Sequence, residues 1–127
     1  MNLTTEPYPK QVECWPQAGR HILAQFDVDK IVVYQAYKPR IGHYAARYDY
    51  FGGWFSLTRM SWIKPNFLWM MYRCGWATKE NQETVLAVSL RRDAFDAILA
   101  AAVPSTYIPA LYSSEEEWKE ALSQSEV

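Results

Sequence analysis

Cysteine is scarce in this chain. Cys14 and Cys74 lie far apart without CxxC spacing, and only His21 and His43 accompany them. A disulfide framework and a sequence-local zinc site are excluded as organising features, and two free thiols fit a reducing cytoplasm. Long apolar runs are also missing. The aromatic-rich run Phe67–Tyr72 falls far short of the ~20 residues that span a bilayer, so no membrane partner is expected. The opening Met1-Asn2-Leu3-Thr4-Thr5-Glu6-Pro7 has neither the basic start nor the apolar core of a secretory signal. There is no P-loop, no nucleotide-binding glycine fingerprint, no serine nucleophile elbow, no zinc-deaminase motif, and no internal repeat.

What is abundant is aromatic. The 127 residues, enough for one domain with its own core, are half apolar and 16% aromatic, with six Trp and nine Tyr. Such rings bury well but carry N–H and O–H groups that want partners, so they suit a polar-rimmed core or a ligand-facing wall. The net charge of −1 hides an uneven distribution. Residues 38–92 carry nine Lys or Arg against three Asp or Glu, a balance of +6, and residues 93–127 carry one Lys against seven acids, −6. A basic, aromatic middle attracts phosphate-bearing partners, unless the acidic tail packs near it and neutralises it.

The local patterns predict an α+β domain: a single small mixed sheet covered by helices over residues 20–127, preceded by an extended N-terminal arm over 1–19 that Trp15 anchors. The β-branched and aromatic run Ile31–Tyr37 reads as a strand. Pro39 at a first helical turn, with Ile41, Tyr44, Ala45 and Tyr48 at helical spacing, gives a helix over 39–48. Gly52-Gly53 marks a turn before a second strand over Trp54–Thr58. Pro65 opens a helix that Gly75 stops, and its apolar run Phe67–Tyr72 predicts a core helix buried nearly all round. Thr84–Leu90 reads as a third strand. Asp93 is placed to cap a helix with the apolar face Phe95, Ile98, Leu99 and Ala102, ended by Pro104, and Ser114 with Glu117 fits a capping box for a last helix through Leu122.

The string Arg59-Met60-Ser61-Trp62-Ile63-Lys64-Pro65-Asn66-Phe67-Leu68-Trp69-Met70-Met71-Tyr72-Arg73-Cys74-Gly75-Trp76 closely resembles the signature RMTWIKPSFLWMMYRSGW of the domain of unknown function 4291 family. Val33–Tyr37 resembles its VYQAY strand, and Lys79, Gln82-Glu83 and Val85-Leu86-Ala87 its K-x-x-QE-x-VLA segment. The resemblance runs from about Arg20 to the last residue and implies no function, since the family is named for lacking one. Leu23 stands where members usually carry a basic residue after the Arg-x-Ile that Arg20-His21-Ile22 matches. Members also continue with a QWDPERD-like and a QIGL-like strand. The resemblance thus implies that this chain corresponds to the first two-thirds of a family domain, with an open sheet edge through which it would oligomerise.

Candidate site residues follow from cost and placement. Arg59, Lys64 and Arg73 adjoin the apolar helix, where a charge is expensive unless paired or solvated. They form an anion pocket, or they pair with Glu80, Glu83 or the tail acids, or Arg73 stacks on Trp69 or Trp76. Trp62, Trp69 and Trp76 recur every seven residues; with Pro65 and Gly75 breaking continuity, Trp69 is expected in the core, and Trp62 and Trp76 as pocket walls. Stacking on such walls contributes ~1–3 kcal/mol per base. On the first strand Tyr34 and Ala36 face one side, Gln35 and Tyr37 the other, and a Gln in the middle of a buried strand needs a backbone or ligand partner. Arg20, from the matching Arg-x-Ile, completes the set. No catalytic residue is assigned; His21 and His43 lack a telling neighbour, and His43 is expected to be exposed or capping.

Three function classes emerge. The first is an enzyme-like domain for a nucleotide-type anionic ligand. Its strand–helix order is similar, by analogy only, to NAD-using ADP-ribosyltransferase folds, which would make NAD the cofactor; the glutamate such sites need on a late strand has no counterpart here. The second is a module that binds single-stranded nucleic acid on a basic aromatic surface. The third is a partner-dependent fragment.

Overall fold

The computed structural model describes residues 1–127. Five helices and a two-stranded antiparallel sheet make up an α+β fold. The chain forms two compact units, Met1–Leu90 and Arg91–Val127.

In Met1–Leu90 the arm is not wholly extended. Pro7 is the N-cap of a short helix α1, Tyr8–Glu13, and Pro9 occupies its first turn. A proline fixes φ near the helical value and needs no partner at that position, so prolines there start a helix instead of breaking it. The half-buried Trp15 ring meets Tyr8 edge-on at 5.6 Å. The tether is Gln25, whose Oε1 accepts from Thr4 N and whose Nε2 donates to Asn2 O, both at 2.8 Å.

Strand β1, Lys30–Tyr37, begins with the buried trio Ile31, Val32 and Val33. Their β-branched side chains fit a pleated, covered surface. The Val32 and Tyr34 N–H groups donate to Gln25 O (2.9 Å) and Lys64 O (2.7 Å), and β1 pairs with β2, Thr84–Arg91. Helix α2, Pro39–Tyr48, starts on Pro39 as its sequence predicts and buries Ile41 and Gly42.

The stretch predicted as a strand over Trp54–Thr58 is instead a series of turns. Gly53 is left-handed at φ 59, Phe55 N donates to Gly52 O at 3.1 Å, and the Ser56 hydroxyl accepts from Thr58 N. Local hydroxyl and turn bonds compete with a ladder, and here they prevail.

Helix α3 spans Phe67–Arg73; Asn66, not Pro65, caps it, its side chain accepting from Trp69 N at 3.1 Å. The expectation of all-round burial is wrong. Only Met70 of this helix is buried, above the buried Cys74 one turn on, whereas Trp69 is 55% and Tyr72 79% exposed. Seven residues offer a single stripe to β1, and within Met1–Leu90 the remaining sides stay exposed. Trp69 is therefore not a core residue.

Unit Arg91–Val127 holds α4, Arg92–Ala101, and α5, Glu115–Gln124. Arg91, not Asp93, is the α4 N-cap. Asp93 lies in the first turn, where its hydrogen bond to Arg91 holds its carboxyl below the usual range. Of the expected apolar face only Phe95 is buried; Ile98 and Leu99 are exposed. The Trp118 indole donates to Pro104 O at 2.8 Å. The cap of α5 forms as its sequence predicts on one side, with Ser114 Oγ accepting from Glu117 N at 3.1 Å. Glu117 reaches back one residue further than a capping box requires, to Ser113 N and its hydroxyl, and these bonds lower its pKa.

Candidate functional site

The second half of β1 carries the wall of the site. The mutual backbone bonds of Tyr34 and Lys64 (2.7 and 2.9 Å) lay the segment after Arg59 beside the strand. Strand alternation then sends Gln35 and Tyr37 to one face, and both converge on Ser61: Gln35 Nε2 donates to Ser61 Oγ at 3.2 Å, and the Tyr37 hydroxyl lies 3.2 Å from the same oxygen. The partner that Gln35 requires is thus a side chain of the signature stretch. Tyr34 faces the other way, edge-on to Phe67 at 5.4 Å, and burial raises its pKa. It supports α3 and does not line the pocket.

Tyr37, Phe55, Ser61 and Gln82 line an open pocket of about 90 Å³, with Trp54, Arg59 and Trp62 also contributing. Phe51, Phe55 and Tyr37 form a ring cluster, with Phe51–Phe55 centroids 4.8 Å apart and Tyr37–Phe51 5.5 Å. The loop that presents Trp54 is held by the tyrosine hydroxyl pair Tyr44–Tyr50 (2.8 Å). A Cβ on Gly52 would meet Tyr50 Cε2 at 2.6 Å and Tyr44 Cε1 at 2.9 Å, so any larger residue there has to displace the tyrosine pair. Gln82 brings an unusual feature: its Oε1 is out of water with no hydrogen-bond partner. Buried polar atoms are nearly always satisfied, so an orphan acceptor on a pocket-lining residue marks the place for functional scrutiny.

Three cations around the pocket sit on rings, not on carboxylates. Arg40 lies over Trp54 at 4.3 Å, Arg73 over Trp62 at 4.8 Å, and Lys64 over the same indole at 5.6 Å. No acid within 4.0 Å pairs with Arg40, Arg59, Lys64 or Arg73; the ion pairs are Arg91–Asp93, Arg92–Asp96 and Lys119–Glu115. Pairing with Glu80 or Glu83 is therefore ruled out, and Arg73 stacks on Trp62 in place of Trp69 or Trp76.

Between α3 and Gln82 the backbone is strained. Gly75, Trp76 and Ala77 are consecutively left-handed at φ 60, 57 and 63, and Asn81 follows at 67. The turn is fixed by Trp76 N donating to Met71 O at 2.7 Å and Ala77 N meeting Cys74 Sγ at 3.4 Å. A left-handed residue other than Gly costs about 1–2 kcal/mol. Part of any gain from glycine is offset by the larger unfolded-state freedom it brings, about 0.4–1 kcal/mol. Ala77→Gly is thus expected to stabilise the chain by about 0.5–1 kcal/mol, read as a higher urea midpoint at constant slope; a lower midpoint would mean that the Ala77 methyl is worth more than the strain.

Of the residues singled out by sequence, the structure brings together Gln35, Tyr37, Arg59 and Trp62 at or behind the pocket, with Lys64 and Arg73 on the Trp62 ring. Tyr34 is one strand position away on the opposite face. Arg20 is exposed and makes no side-chain contact with the others, and Trp76 is 62% exposed and outside the pocket. Ser61, Gln82, Arg40 and Trp54 were not anticipated. Ser61 and Gln82 do lie inside the family-like strings, which is the one signal that could have raised them.

The model of the family described as Domain of unknown function (DUF4291) matches residues 21–127, and the chain belongs to that family. No curated protein and no solved structure matches it.

Proposed function

We propose that this member of the family binds a nucleotide-type anionic ligand at the pocket of unit Met1–Leu90. The aromatic rings of Trp54, Phe55 and Trp62 take the ring of the ligand, and Arg59, which shares the pocket wall, takes phosphate oxygens, while Arg40, Lys64 and Arg73 stand on the Trp54 and Trp62 rings around it. The observation that carries this reading is the set of cations without carboxylate partners around one aromatic pocket. A cation on an exposed ring gains only about 0.5–1 kcal/mol, whereas a hydrogen bond to a charged group is worth about 1.5–3 kcal/mol. An arriving phosphate therefore outbids the ring for the guanidinium, and forked Arg donors suit its geometry. NAD is one ligand of this class.

Calorimetry at low ionic strength, with NAD and ATP against uncharged adenosine, tests the reading. NAD or ATP is expected to bind more tightly than adenosine, and Arg59→Ala to weaken the phosphate-bearing ligands about tenfold, as loss of one charged hydrogen bond requires. Absence of heat with all three ligands, or equal binding of adenosine and ATP, would overturn it.

A further inference from the structure

We infer that the ligand of this site is a single strand of nucleic acid, not a free nucleotide: one base enters the pocket and its neighbours stack on Trp54 and Trp62. The inference rests on the nucleotide reading above and narrows its ligand class.

Size is the first reason. A pocket of about 90 Å³ is well below the roughly 300–1,000 Å³ of sites that enclose a whole small molecule. It accommodates the edge of a ring and leaves sugar and phosphates outside. A lone nucleotide buries only part of itself there and is held weakly, and the higher affinity comes from several nucleotides held along the surface.

The placement of charge is the second. A free di- or triphosphate is best held by cations that converge on one point. Here Arg40 stands on Trp54, Arg73 and Lys64 stand on Trp62, and Arg59 lines the pocket that both indoles also line. These cations come from α2, from the turns, from the bridge beside β1 and from α3. Positive groups seated at separate ring faces suit a backbone that brings a phosphate with each base.

Exposure is the third. Trp54 is 67% and Trp62 37% exposed, and the pocket-lining Met60 is 92% exposed. Each indole has its face occupied by a cation of this chain. A base that displaces the cation takes over the ring face, and the displaced cation is left beside the phosphate of that same nucleotide. Each nucleotide thus makes one exchange at one indole. Stacking of this kind tolerates any base.

Fluorescence anisotropy with the whole chain and labelled oligo-rA, oligo-dA and oligo-dT in a length series from one to about ten nucleotides, with a duplex and AMP as competitors, tests this. Affinity is expected to rise roughly tenfold per nucleotide from one to three and then level off, by the stacking range per base. For three or four phosphate contacts the logarithm of the binding constant should fall with that of salt at a slope of about −2 to −3. Trp54→Ala and Trp62→Ala should each weaken oligomer binding about tenfold, with unchanged melting temperature confirming the fold, and Arg73→Ala should shallow the salt slope by about 0.7. The rA and dA arms separate RNA from DNA. AMP binding as tight as the oligomer overturns this inference and leaves the nucleotide reading standing. Duplex competing as well as single strand overturns it too, because stacking would then play no part. Silence with every ligand removes both.

Discussion

Met70→Ala is expected to destabilise the chain by ~2–5 kcal/mol, the range for emptying a fully buried Met site. The reason lies in how little else is buried. In Met1–Leu90 the buried apolar side chains are Ile31, Val32, Val33, Ile41, Met70 and Cys74, and Met70 is the largest of those that are fully enclosed. Within this unit few buried side chains are at hand to fill the void. Against a typical total of ~5–15 kcal/mol, such a loss leaves a marginal fold. Urea unfolding followed by Trp fluorescence should show a markedly lower midpoint, and Met70→Leu, which nearly conserves volume, should cost less than about 1.5 kcal/mol. The companion variant decides what kind of helix α3 is. Tyr72 is 79% exposed, so Tyr72→Ala should change stability by no more than about 0.5 kcal/mol. A helix buried on all sides would instead give comparable losses at both positions. Equal costs at Met70 and Tyr72 would therefore refute the one-stripe packing described above.

That contrast shows where the sequence was legible. Ile31–Tyr37, Thr84–Leu90 and the Pro39 start of α2 were readable because each rests on a local cause: β-branched side chains on a pleat, or a fixed φ in a first turn. Ser114 was readable for the same reason, since a cap needs only its own helix. Phe67–Tyr72 was not. An apolar run reports what a helix could bury, and the burial itself depends on how many elements are there to cover it. Trp54–Thr58 has strand composition, yet Gly53 and the Ser56 hydroxyl settle it as turns. The site was half legible. Gln35 and Tyr37 share a face by simple alternation, and Trp62, Lys64 and Arg73 were near enough in sequence to be grouped. Their actual arrangement, both cations on one indole, follows from side-chain geometry that spacing does not encode. Ser61, Trp54 and Gln82 are drawn to the pocket by a bridge, a tyrosine-held loop and a strained left-handed turn. None of these leaves a periodic trace.

Gly42→Ala carries the second large effect, and its sign is decided by two opposing terms. Gly42 lies inside α2, where alanine is favoured over glycine by about 1 kcal/mol from helix propensity alone. The position is buried, however, and an added Cβ would collide with Thr84 Cγ2 and come within 2.7 Å of Thr84 Cβ at the start of β2. A turn about χ1 can move Cγ2 away, but Thr84 Cβ is fixed to the backbone and stays 2.7 Å from the added methyl, so the helix must lift from the strand. Overpacking of this sort costs typically 1–3 kcal/mol, and a Cβ-to-Cβ approach this short belongs at the upper end, enough to outweigh the propensity gain. A net loss of about 1–2 kcal/mol is expected in urea unfolding. The displacement also reaches the site, because α2 carries Ile41 in the pocket wall and Arg40 over Trp54. Ligand affinity should accordingly fall in the same variant. Thr84→Ala in the Gly42→Ala background removes the Cγ2 collision and keeps the Cβ one, so it should recover part of the loss and yield a favourable coupling energy in a double-mutant cycle. A more stable Gly42→Ala protein, or a cycle with no coupling to Thr84, would mean that α2 and β2 are not in the contact that places Arg40 and Ile41 at the pocket.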